Sequence, residues 1–166
     1  MNLEAPRQHI EAEHRGKPEV WLIDDDDDLS EVLIAYWRQD APDFDYRHFN
    51  TAQAALDEID AIAGSGKGSM PAIIFVDGNL FKDKGELRQG ENLIQAILQR
   101  EDITPPLLVA HSSSQEANER MLQAGGQHIV ELGKKPPGAQ DYNNLLTSYL
   151  EEHKDQEGLA NSDRGE

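Results

Sequence analysis

Residues 72–77 read Ala-Ile-Ile-Phe-Val-Asp. Five apolar residues without a polar interruption are too few for an ordinary helix. They suit a strand buried on both faces, as in a parallel sheet. The run ends abruptly on Asp77. The same shape recurs on either side. Val20–Ile23 is a short apolar run that ends on Asp24, the first of five consecutive aspartates, Asp24 to Asp28. Leu107–Ala110 follows Pro105-Pro106 and ends on His111, Ser112 and Ser113. Ile129–Leu132 is a further strand, followed by Lys134 and Lys135, and Phe44–Phe49 alternates in a strand-like way.

Helical spacing fills the gaps between these runs. Leu29, Val32, Leu33, Tyr36 and Trp37 predict a helix, and Ala52, Ala55, Leu56, Ile59 and Ile62 predict a second, with Thr51 near its start. Leu93, Ile94, Ile97 and Leu98 mark a third. Ser114–Ala124 is a fourth, capped by Ser114 and ended by Gly125-Gly126. Tyr142, Leu145, Leu146, Tyr149 and Leu150 mark an amphipathic last helix. Five strands that each precede a helix predict an α/β domain with a parallel sheet covered on both faces. Residues 1–18 read as a flexible leader, 19–153 as the domain, and 154–166 as a flexible acidic tail. The stretch after Asp77 reads as a long polar loop, and Gly64–Ser69 as a flexible connector.

Composition narrows the function. The 166 residues contain 15 Lys plus Arg against 32 Asp plus Glu, a formal charge of -17. Such a surface repels nucleic-acid phosphates and anionic lipid, so a divalent cation or a basic protein surface is the expected partner. There are no cysteines, which excludes disulfides and thiolate chemistry. No stretch has the length and apolarity of a membrane span or a signal peptide, and a cytoplasmic protein is expected.

In parallel α/β sheets, ligands bind beyond the carboxyl ends of the strands. That edge would gather Asp24, Asp25, Asp77, the His111–Ser113 cluster and Lys134-Lys135. Carboxylates crowded into one cleft call for a hard divalent cation, and oxygen-only ligands suit Mg²⁺. A cation lets a carboxylate attack a phosphoryl donor, and a hydroxyl and an ammonium bind phosphoryl oxygens. The bland reading of the five-Asp run is a helix N-terminus favoured by the dipole. Ser112–Ser114 read as helix-capping residues, and the two lysines as surface charges.

The segments VWLIDDDDDL, AIIFVDGNL, GENL, PLLVAHSS and KKP, in that order, resemble response regulator receiver domains, the CheY-like fold, over about residues 19–152. The resemblance implies a sheet in the order 2-1-3-4-5. It implies that Asp24 and Asp25 hold Mg²⁺, that Asp77 is phosphorylated, and that the Asn79 carbonyl completes the metal shell. Lys135, with Lys134 as a rival, would contact the phosphoryl group, and so would His111 or Ser112. The expected function is a single-domain, non-enzymatic phosphoacceptor that serves a sensor histidine kinase or phosphotransfer protein and signals to a downstream protein. Departures from the pattern are explicit. Leu80-Phe81 stands where the family has a Pro, the charged insert KDKGELRQ delays Gly90, and no Tyr or Phe shortly precedes the lysines. They motivate a second expectation, a receiver-like interaction module independent of phosphorylation. A third is a haloacid dehalogenase-like phosphatase built on Asp24 and Asp26.

Overall fold

The computed structural model describes residues 17–66, 69–132 and 138–162. The strands are β1 (Glu19–Ile23), β2 (Asp45–Phe49), β3 (Ile73–Val76), β4 (Leu107–Ala110) and β5 (Ile129–Glu131). The α-helices are α1 (Asp27–Asp40), α2 (Ala52–Ser65), α3 (Gly90–Leu98), α4 (Gln115–Gly125) and α5 (Ala139–Ser162). All pairings are parallel, in the order β2-β1-β3-β4-β5. Both the strand pattern and the order match expectation.

The uninterrupted apolar runs follow from a core on each face. Trp21 and Ile23 of β1, Ile74 and Val76 of β3, and Leu108 and Ala110 of β4 pack with Ala55, Ile59, Leu93, Ile97 and Met121. The alternate residues Val20, Leu22, Ile73, Phe75 and Val109 pack with Ile34, Trp37, Tyr142 and Leu146. Successive strand residues point to opposite faces, so only a sheet covered on both sides buries every one of them. Trp37 is the centre of the second core. Its ring stacks on Phe75 at 4.8 Å between centroids, and it lies 5.4 Å from Tyr142.

The five-Asp run divides by role. The Asp26 side chain caps α1 by accepting the Leu29 amide at 3.0 Å. Asp27 and Asp28 occupy the first turn, where negative charge is favoured. Asp24 and Asp25 are left over. Thr51 and Ser114 cap α2 and α4 as expected. α5 extends to Ser162, into the segment read as a tail from residue 154.

The loop after Asp77 differs most from expectation. It is held on both sides. Leu80 N–H donates to the Arg88 carbonyl at 2.8 Å, Gly90 N–H to the Gly78 carbonyl at 3.1 Å, and Asn79 and Gln89 form an antiparallel bridge. Leu80 is fully buried, and Gly85–Arg88 is a 3₁₀ turn. Charge in the insert KDKGELRQ does not make it solvent-borne, because Asp83 is itself buried. Its two carboxylate oxygens accept the Ala52 amide at 2.7 Å and the Gln53 amide at 3.0 Å. The first turn of a helix leaves N–H groups without partners. Thr51 satisfies Ala54, and the insert supplies the two acceptors that Thr51 cannot.

Asp83→Ala should therefore cost about 2 kcal/mol, the loss of two charge-assisted helix-capping bonds. Urea denaturation measures it. Asp83→Asn, which keeps one acceptor, should recover about half of that loss.

Candidate functional site

Parallel register brings the chemistry together. Ile23 pairs with Val76, and Val76 with Ala110. The next residue of each strand, Asp24, Asp77 and His111, therefore stands at one level of the carboxyl edge. Backbone bonds hold them there: Asp24 N–H to the Phe49 carbonyl at 3.1 Å, Asp77 N–H to the Ile23 carbonyl at 2.9 Å, and His111 N–H to the Val76 carbonyl at 2.8 Å. The ligand atoms of Asp24, Asp25 and Asp77 lie within 4.8 Å of one another. Asn79, Phe81, Ser112, Ser113 and Tyr142 complete the surrounding cavity.

Among the described residues, Asp25 and Asp77 each keep an oxygen without a hydrogen-bond partner, while both Asp24 oxygens are engaged. Asp24 Oδ1 accepts the Asp26 amide at 2.9 Å, and Asp24 Oδ2 lies 3.4 Å from His111 Nε2. Asp25 Oδ2 accepts the Phe81 amide at 2.9 Å, and Asp77 Oδ1 accepts the Asn79 amide at 3.3 Å. The set is all oxygen and strongly negative, which fits Mg²⁺ better than a soft metal.

The charges are unequal. Burial, then the Asp24 charge, pushes Asp77 up to about 7; the Asn79 amide and His111 oppose the rise, and Asp25 adds to it. Burial also works against ionised Asp24, but the His111 hydrogen bond, the Asp26 amide and the charges of His111 and His48 outweigh it and hold Asp24 below the usual carboxylate range. Two like carboxylates in one site are forced apart in this way.

The two candidates after β4 take different places. The His111 imidazole reaches Asp24, and its Nδ1 lies 2.9 Å from the Tyr142 hydroxyl. Ser112 also lines the cavity. Its Oγ accepts the Ser114 amide at 3.2 Å, and its backbone is bracketed by Asn118 at 3.0 and 2.8 Å. Lys134 and Lys135 lie outside the described residues. Asp26 caps its helix and is not one of the converging carboxylates.

The site roles of four residues escape a reading of the sequence. Tyr142 is indistinguishable from an apolar helix position, although the first turn after a fifth strand returns to this edge. Phe81 directly precedes the charged insert. Gly78 and Gly90 admit close backbone approach. A Cβ at Gly78 would meet the Ala117 Cβ at 2.5 Å, and one at Gly90 would meet the Asp77 carbonyl at 2.4 Å. A side chain at either position would force these neighbours apart beside Asp77.

No family model matches the chain, and no curated protein does. Solved structures do. A CheY-like response regulator receiver domain protein from Methanospirillum hungatei superposes with a TM-score of 0.57 at 17% identity, covering 84% of this chain and 98% of that one. The chain has the receiver-domain fold. The receiver domain of the Francisella response regulator 1452 gives 0.58 at 15% identity, covering 82% and 99%. The phosphorylated cyanobacterial phytochrome response regulator RcpA gives 0.59 at 12%, covering 81% and 92%. On this receiver fold the acidic cluster stands at the carboxyl edge of β1 and β3. No helix among the described residues is long and apolar enough to cross a membrane.

The raised Asp77 has a stability consequence. Its protonated form is favoured by folding, so its contribution is complete below the ordinary value of 3.8 and is lost as pH rises through about 7. In EDTA, Asp77→Asn should gain about 2 kcal/mol over the parent protein at pH 8, and little at pH 4, after discounting for partial solvent access. Mg²⁺ should narrow the gap at pH 8. Paired urea titrations check both statements.

Proposed function

We propose that this chain is a phosphoacceptor signalling domain in which Asp77 takes a phosphoryl group with Mg²⁺ as cofactor. The convergence of Asp24, Asp25 and Asp77 within 4.8 Å carries the proposal. The receiver fold supports it, since it puts that cluster where such sheets bind ligands.

Asp24, Asp25 and Asp77, with the Asn79 carbonyl, would hold the cation, which supplies charge neutralisation for nucleophile and phosphoryl oxygens. Asp77 must be ionised to attack. Without a cation, burial and Asp24 keep it partly protonated at neutral pH; positive charge at the site favours the carboxylate. An Asp77 oxygen then forms a bond to phosphorus as the bond to the donor breaks. The electron pair leaves with the donor, a phosphohistidine imidazole or the acetate of acetyl phosphate. His111 and Ser112 stand on the cavity wall, where their polar hydrogens can meet phosphoryl oxygens. Lys135, or Lys134, is assigned the remaining oxygen by resemblance to the family.

The donor would be a sensor kinase or phosphotransfer protein of the cytoplasm. The output would be a contact with a downstream protein, and the domain would catalyse only its own phosphorylation and dephosphorylation. The phosphatase reading needs Asp24 and Asp26 as a pair, and Asp26 is spent on its helix.

Incubation with acetyl phosphate and Mg²⁺ should add one phosphoryl group by intact mass. Asp77→Asn and EDTA should each abolish the adduct, and Asp24→Asn should slow its formation about tenfold or more. An adduct that persists in Asp77→Asn would sink the proposal. Partner binding that survives Asp77→Asn unchanged would favour the interaction module.

A further inference from the structure

We infer that His111 and Tyr142 carry the state of the acceptor site to the groove between α1 and α5, an inference that rests on the phosphoacceptor reading of Asp77. Two cavities of this molecule share a wall. The acidic cavity is lined by Leu33 and Tyr142 as well as by its carboxylates. The second cavity, an apolar groove, is lined by the same Leu33 and Tyr142 together with Val32, Tyr36, Trp37 and Leu146. Tyr142 is therefore a partition with one side on the chemistry and the other on a surface groove.

His111 fastens that partition to the site. Nε2 faces Asp24 Oδ2 at 3.4 Å, and Nδ1 shares a hydrogen bond of 2.9 Å with the Tyr142 hydroxyl; a neutral imidazole that donates at Nε2 accepts at Nδ1. Tyr142 is buried and His111 largely so, and a buried hydroxyl that loses its partner must find another. A phosphoryl group on Asp77 places new negative oxygens beside His111, the register neighbour of Asp77. These oxygens compete with Asp24 for the Nε2 proton. The imidazole cannot turn toward them without moving Nδ1 relative to the Tyr142 hydroxyl. The Tyr142 ring lies 5.4 Å from Trp37 and 5.8 Å from Phe75, so its displacement is passed to the floor of the groove.

The direction of this path differs from the one the family resemblance implied. An aromatic residue on β5, shortly before the lysines, is absent, and β5 reads Ile-Val-Glu. The aromatic that touches the position after β4 comes instead from the first turn of α5. The signal is thereby routed to the α1–α5 side of the sheet. Tyr142 is a positioning residue in this scheme, since it acts on the groove through Trp37 and on the site through His111.

The test is ¹⁵N–¹H NMR of the full chain with Mg²⁺, before and after saturation with beryllium fluoride, a phosphoryl mimic that binds carboxylates. The chain has two tryptophans, and Trp37→Phe assigns the indole signals. In the wild type the Trp37 indole and the Val32 and Leu146 amides should shift along with the Asp77 and Asn79 amides. In Tyr142→Phe, which keeps the ring and removes the hydroxyl, the groove shifts should be lost when scaled to the site shifts in the same sample. His111→Ala should lose them too. Groove shifts of wild-type size in both variants, or a still groove beside a moving site in the wild type, would overturn the inference. An absence of shifts at Asp77 and Asn79 in the wild type would instead overturn the phosphoacceptor reading, and this inference with it.

Discussion

Mutual repulsion of three carboxylates, held together by strand register, is the constraint on which the rest of this molecule turns. Asp24 and Asp77 stand level because Ile23 pairs with Val76, and Asp25 is one residue on. Nothing about the three charges favours their meeting. The sheet compels it, because the apolar faces of β1 and β3 are buried in full. A one-residue slip would send every one of those side chains into the core on the opposite face, away from the partners it packs with. Hydrophobic packing thus supplies the free energy that holds an unfavourable electrostatic arrangement in place, which a bound cation would relieve.

That division of labour explains what the sequence shows and what it hides. The strands are legible because burial on both faces leaves only apolar residues, as in Ala72–Val76. The helices are legible from their spacing, and the caps Thr51 and Ser114 from their chemistry. The acidic half of the site is legible because Asp24 and Asp77 are each the first residue after an apolar run and Asp25 follows Asp24 directly. Asp26, Asp27 and Asp28 look the same as Asp24 and Asp25 in one dimension. The start of α1 is what separates them.

The illegible part depends on contacts between distant segments. The stretch after Asp77 reads as a long polar loop, yet Leu80 and Asp83 are buried and the strand-like bridge at Asn79 and Gln89 closes its base. An acidic residue that caps another helix, 30 positions away in the Gln53 bond, carries no local signature. Tyr142 is hidden for a related reason. Its hydroxyl matters only because His111, 31 positions away, is brought beside it, and periodicity records the ring without the oxygen.

The Asp83 cap also limits how this domain can be taken apart and recombined. The loop after β3 and α2 are remote in sequence but structurally one part, since the helix begins on acceptors that it does not own. Grafting a shorter loop from another protein of this fold onto this framework would leave the start of α2 without them. Transplanting α2 alone would strand a buried carboxylate in the loop left behind. Any lineage that lengthened this loop by way of Asp83 acquired a dependence that a later deletion cannot simply reverse. The two segments have to be exchanged together, or the helix has to be given a new beginning first.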